Sequence, residues 1–182
     1  MGFQVLVLVD GGKPMNYQDL LRKIASDWKK KRPDLDFEDS LLILAVLRCA
    51  VELQFKTEEV FSRFDLNTAT FGVMVTLYRS SPPEGMTPGE ISRHVLVSPG
   101  SVTNRLDRLV ERKLISRHAS VHDRRVHYIR LTSDGEKLVE TILPLHLENE
   151  RKLLERLGPL QKGKLKALIL DVLADFDVSE SR

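Results

Sequence analysis

The sequence predicts a mainly α-helical fold with one small β element, and three observations carry that prediction. Apolar residues recur at three-four spacing through most of the chain, the period of a helix with one buried face. Several of these segments begin with a capping residue followed by proline or glutamate. A single stretch, 114–131, reads instead as two short strands around a polar loop.

The first 15 residues read as an extension to the fold, unfolded or foreign to the native chain. Phe3 to Val9 is apolar but short, with no basic stretch before it and no small-residue cleavage signal after it, so it does not read as a secretory leader. A short strand is the alternative there. Tyr17 to Lys31 then carries Leu20, Leu21, Ile24 and Trp28 at helical spacing, and Pro33 ends it. A second helix is expected from about Phe37 to Arg63. Its segment Leu41 to Val51 is apolar nearly all round, which predicts burial on more than one side, with Cys49 as a small core residue. Asn67 reads as the cap of a third helix through Phe71, Met74, Val75 and Tyr78, followed by the loop Ser80 to Gly85.

Thr87-Pro88-Gly89-Glu90 combines a capping threonine, a first-position proline and a third-position glutamate. The helix it opens is short. Ser98-Pro99 starts another almost at once, so two capped helices lie a few residues apart: a helix-turn-helix. Leu114 to His118 and Val126 to Leu131 are the two strands, with the basic loop Ala119 to Arg125 between them, as in a wing. Thr132 caps a long helix that Pro144 should kink, and a last helix after Gly158-Pro159 carries a stripe through Leu165, Leu168, Val172 and Phe176. The expectation is a winged helix-turn-helix domain over 16–182. Its DNA-binding part spans about 67–131, and dimerisation helices span about 16–63 and 132–178, because the terminal helices carry more apolar face than so small a wing domain can cover.

A composition of 42% hydrophobic and 30% charged residues suits a folded globular chain rather than a disordered one. No apolar run reaches the length of a membrane-spanning helix. One cysteine allows no disulfide within the chain and favours a reducing compartment, the cytoplasm. The net charge of +2 conceals an uneven distribution. Between Met86 and Leu131 nine Lys/Arg face four Asp/Glu, a local balance of +5 that leaves −3 for the rest. Basic charge gathered on the helix-turn-helix and wing is the footprint of a nucleic-acid contact.

Projected at 3.6 residues per turn, the helix from Ser98 to Lys113 puts Val102, Leu106, Leu109 and Val110 on one side and Ser101, Asn104, Arg108 and Glu111 on the other. Such a helix can lie in the major groove of duplex DNA, with Asn104 pairing with adenine and Arg108 with guanine or phosphate. Arg105 falls on the flank, where it can reach a phosphate or line a pocket beneath the helix. In the wing loop, Arg124 and Arg125 can enter a minor groove, while Asp123 is repelled by phosphate and is expected to fix an arginine side chain by an ion pair.

The TPGEIS run at Thr87, the SVTNRLDRL run at Ser101, Asp123-Arg124-Arg125 and Leu131-Thr132 together resemble the MarR family of bacterial regulators, and the similarity extends over nearly everything after about Asp19. The resemblance implies a homodimeric winged helix-turn-helix, an inverted-repeat operator in double-stranded DNA, and repression relieved by a small anionic or aromatic molecule. It implies DNA contacts from Ser101, Thr103, Asn104, Arg105 and Arg108, with Asp123 and Arg125 in the wing. Ile24-Ala25-Ser26-Asp27-Trp28 and Leu77 to Gly85 are similar to the urate-responsive branch, which has an extra N-terminal helix. There a tryptophan, an acid on the helix before the helix-turn-helix and a recognition-helix arginine hold the ligand. Trp28 and Arg105 match, but the acid's position holds Gly72, which leaves Arg105 without an opposing carboxylate. Trp28 as simple core filler is the other reading of that residue.

Gly158 to Lys164 satisfies part of a phosphate-binding loop, but Leu165 stands where Ser or Thr would bind magnesium, so it reads as a turn. His118, His122 and His127 span strand, loop and strand without a thiol to complete a metal site. No cofactor, metal or catalytic constellation is expected, and the chain does not read as an enzyme. A protein-interaction module without DNA, or a metal- or redox-sensing regulator, are the alternatives.

Overall fold

The computed structural model describes residues 9–10, 13–14, 16–95, 102–120, 123 and 125–177. Two compact units divide it at residue 54. In the first, β1 (Val9–Asp10) pairs antiparallel with β2 (Lys13–Pro14), so these four residues take the strand alternative.

Helix α1 (Tyr17–Lys31) has the predicted bounds. It starts at Asn16, whose side chain accepts the Asp19 N–H at 2.9 Å. Helix α2 (Glu38–Ser62) follows and crosses from the first unit into the second. Tyr17 clips α1 to α2: its hydroxyl donates to Glu52 at 2.5 Å and accepts from Arg48, whose guanidinium lies 4.6 Å from the Tyr17 ring centroid. Trp28 is not core. It stacks on Phe37 at a centroid distance of 4.5 Å and keeps 43% of its surface exposed.

Within the single chain, Leu41 to Val51 is not buried on more than one side. Leu42, Ile43, Val46 and Leu47 are each more than half exposed, and Cys49 is exposed as well. Periodicity reports only that a face is apolar, not whether the same chain covers it. An apolar surface left open inside one chain is the pattern of a face built for association.

The second unit holds the core. α2 ends in a turn at Asp65, whose φ of 55° reverses the chain into α3 (Thr68–Ser80). Asn67 and Thr70 cap α3 reciprocally. α4 (Pro88–His94), α5 (Val102–Glu111), β3 (Ile115–Ala119), β4 (His127–Leu131), α6 (Ser133–Leu153) and α7 (Pro159–Asp177) follow. The α4 cap is the predicted box, with the Thr87 N–H donating to Glu90 at 2.7 Å. α6 runs through Pro144 without interruption. Phe61 of α2, Met74 of α3, Ile91 of α4, Leu106 of α5, Ile129 of β4 and Ile142 of α6 are all 1% exposed or less and belong to one cluster. Burying about 25 cal/mol per Å² of such surface is what holds the short α4 and α5 in place.

β3 and β4 pair antiparallel, Ile115 with Leu131 and Ala119 with His127. Met86 adds a bridge to Ile129 on the other edge of β4, with bonds of 3.0 and 2.8 Å. That bridge explains Gly85 in the preceding loop: its φ is +99°, and a Cβ there would stand 2.7 Å from the Ile129 carbonyl oxygen. The β4 backbone therefore approaches where only glycine fits.

Candidate nucleic-acid interface

The site is built from α4, α5 and the wing strands. Threonine at the cap and proline at the first position fix where α4 starts. The Thr87 backbone N–H, then its hydroxyl, hold the Glu90 carboxyl below the usual carboxylate range, so the cap is charged at neutral pH. α5 is strongly two-faced. Val102, Leu106 and Leu109 are buried and Val110 is half-buried, while Asn104, Arg108 and Glu111 are exposed, as the projection predicts, and Thr103 is exposed as well. Asn104 and Arg108, one turn apart, share an outward strip of the helix, and Thr103 lies at the edge of the exposed face.

Arg105 is half-buried on the flank, and its Nη1 is buried without a hydrogen-bond partner among the described residues. An orphaned guanidinium nitrogen is costly, because a buried donor forfeits its bond to water. Gly72, in the position of the expected acid, is half-buried on α3. A Cβ there would meet only Val95 Cγ1 at 3.5 Å, an ordinary contact, so the backbone at this position does not itself demand glycine. Trp28 belongs to the first unit and Arg105 to the second.

In the wing, Asp123 Oδ1 accepts the backbone N–H of Arg125 at 2.9 Å, and the Val126 N–H donates to the Asp123 carbonyl. The Asp123 carboxylate shapes the loop backbone through this turn and Arg125 beside it is exposed, while an ion pair to Arg124 falls outside the described residues. An aspartate two residues before its backbone donor closes such a turn without help from any arginine. Ser101 and Arg124 lie outside the described residues, as does the start of the helix at Ser98 and Pro99.

Three polar residues of the interface escaped the sequence reading. Arg117 Nη2 of β3 donates to Asp107 Oδ1 of α5 at 2.5 Å, tying the wing to the helix. Arg112, just past α5, donates to the carbonyls of Phe64 and Asp65. Beside Arg112 a cleft of about 430 Å³ opens between α5 and the α2–α3 turn, lined by Asp65, Asn67, Arg108 and Glu111 among others. Charge alone could not have found these partners, since each is 10 or more positions away in sequence. No cluster of potential metal ligands occurs among the described residues.

A short capped helix, an amphipathic second helix with a polar outer strip, and a two-stranded ribbon with an exposed arginine define a winged helix-turn-helix. The chain belongs to the MarR family, and it is a transcriptional regulator of the helix-turn-helix type. The family's model matches residues 64–126. The chain is similar to the HTH-type transcriptional regulator PecS of Dickeya dadantii (strain 3937), at 32% identity over 80% of this chain and 88% of that protein. It is similar to PrsX of Escherichia coli, another HTH-type transcriptional regulator, at 28% identity over 70% of this chain and 76% of that one. Among solved structures, the C80S mutant of Escherichia coli MarR complexed with operator DNA superposes with a TM-score of 0.67 at 25% identity, covering 77% of this chain and 99% of that chain. The fold is shared with Sco3205 of Streptomyces coelicolor, a MarR family regulator in complex with DNA, at a TM-score of 0.70 and 20% identity over 76% and 88% of the two chains. No helix among the described residues is long and apolar enough to cross a membrane.

Proposed function

We propose that two copies of this chain bind an inverted repeat in duplex DNA as a repressor in the cytoplasm, and that a small anionic or aromatic ligand weakens the complex. The outward strip of Asn104 and Arg108 on α5, with Thr103 at its edge, together with the exposed Arg125 of the wing, is the observation that carries the DNA reading. Side chains on that strip reach base edges when α5 lies in the major groove, with Ser101 and Arg105 at its margins, while Arg124 and Arg125 follow a minor groove. Selection of purified protein against random duplexes at moderate salt should enrich an inverted repeat with half-sites about one helical turn apart. Binding that is salt-labile and indifferent to sequence would replace this reading by a protein-interaction module.

Two substitutions separate base reading from phosphate contact. Asn104→Ala should relax preference at one position of each half-site, costing roughly 1–3 kcal/mol there if the amide bonds a base edge bidentately. A selected motif unchanged in every position would remove Asn104 from the reading set. Arg125→Ala should weaken binding to all sequences and lower the slope of log affinity against log salt by about 1. A slope equal to wild type would place the wing off the DNA.

The ligand reading rests on Arg105. Its orphaned Nη1 favours an anion, and α1 with Trp28 supports placement in the urate-responsive branch. Gly72 modifies that placement: with no carboxylate opposite, Arg105 suits a ligand that is itself the only anion. Operator complexes titrated with urate and aromatic acids should release DNA, and Arg105→Lys should blunt the release. Retention of the complex at saturating concentrations of every acid tested would end the proposal for this class.

A further inference from the structure

We infer that Arg112 is a positioning residue that sets the angle of the reading helix by clipping it to the end of α2, without touching DNA itself. The inference rests on the DNA reading above. Arg112 follows the last residue of α5, where its own N–H still bonds to the Arg108 carbonyl and Lys113 turns the chain with a φ of 57°. Its side chain leaves the helix and donates from Nη1 to the Asp65 carbonyl at 2.5 Å and from Nη2 to the Phe64 carbonyl at 3.0 Å. Those carbonyls close the C-terminal end of α2, where unpaired acceptors and the negative end of the helix dipole gather. A guanidinium fork spanning two adjacent carbonyls fixes direction as well as distance, which a single-point donor cannot do.

The geometry gives α5 a polar brace on one side and the buried Leu106 and Leu109 on another. Core contacts resist separation of the helix from the domain. They resist rotation about the helix axis or tilt of its far end less well, because apolar packing is not directional. Asn104 and Arg108 need alignment to pair with base edges, so a small tilt costs base discrimination before it costs binding. With both Nη atoms engaged by carbonyls, Arg112 makes its contribution through Phe64 and Asp65 rather than through a phosphate.

Selection and salt titration of the full chain test this with Arg112→Ala, Arg112→Lys and Asp65→Gly, each measured well below its unfolding midpoint. Arg112→Ala should bind the selected repeat roughly ten-fold weaker, about the loss of one aligned base contact, with a flattened motif and a wild-type salt slope. Arg112→Lys, with one donor point, should fall between, and it carries the test if the alanine variant does not fold. Asp65→Gly keeps the carbonyl and adopts the positive φ freely, so its motif should match wild type. Three results would overturn the inference. These are an unchanged motif in both Arg112 variants, a slope lowered by about 1 with uniform loss across sequences, as for a phosphate contact, or a motif flattened in Asp65→Gly as much as in Arg112→Ala. A wild-type chain that selects no sequence would sink the DNA reading itself, a result separable from all three.

Discussion

Gly135→Ala should destabilise the protein more than any other single methyl group placed on a described glycine. Gly135 lies in the first turn of α6, where its N–H donates to the Thr132 hydroxyl at 3.0 Å. A Cβ built there would stand 2.1 Å from the Leu114 carbonyl oxygen and 3.0 Å from Leu131 Cδ2. The obstacle is backbone, and it cannot step aside. Leu114 is held by its own N–H to the Leu109 carbonyl, and its carbonyl already accepts from the Thr132 N–H at 3.1 Å. The methyl group would therefore push the start of α6 off the base of the wing and break the Thr132 cap with it. Overpacking against fixed backbone costs roughly 1–3 kcal/mol, and a lost cap adds about 1. In a chain of this length that corresponds to a fall in Tm of roughly 4–16 °C. Thermal unfolding followed by circular dichroism reads it directly, and a Tm within 2 °C of wild type would show that the α6–wing junction yields.

The same junction shows what the sequence could and could not disclose. Caps at Asn67, Thr87 and Thr132 were legible because a capping side chain acts within three residues of itself. The faces of α5 were legible because 3.6-residue periodicity sorts Leu106 from Asn104 without knowledge of the rest of the fold. Gly135 gave no such signal: it sits in a helical pattern as an unfavoured residue, and only the approach of the Leu114 carbonyl, 21 positions away, explains it. Arg112 and Arg117 were counted as basic charge, yet they are spent on partners inside the fold. Net charge per segment cannot separate arginines that face DNA from arginines that brace the helix. Asp123 has a role that charge does not disclose: beside two arginines it suggests an ion pair, yet its carboxylate also accepts from the backbone two residues on.

The exposed apolar faces that the sequence assigns to dimerisation yield the second prediction. Leu168, Val172 and Phe176 follow each other at four-residue spacing on α7, and each is 60% exposed or more. A helix does not keep a stripe of that length in water unless something covers it, and a second copy of the chain is the occupant we propose. Leu168→Asp should then separate the copies. A carboxylate introduced into an apolar interface has no partner and costs roughly 3 kcal/mol or more per interface, over two orders of magnitude in the dissociation constant. The domain core is untouched, so helical content should survive while sedimentation gives the monomer mass. Operator binding should fall further than the lost contact alone implies. A dimer holds its second reading helix at high local concentration over the second half-site, and a monomer must bind each half-site independently. Footprints should accordingly shrink from both half-sites at low protein concentration to weak protection that appears on each only at high concentration. If Leu168→Asp still sediments as wild type, α7 lies outside the interface, and the exposed stripe of α2 at Leu42, Val46 and Leu47 becomes the face to challenge next.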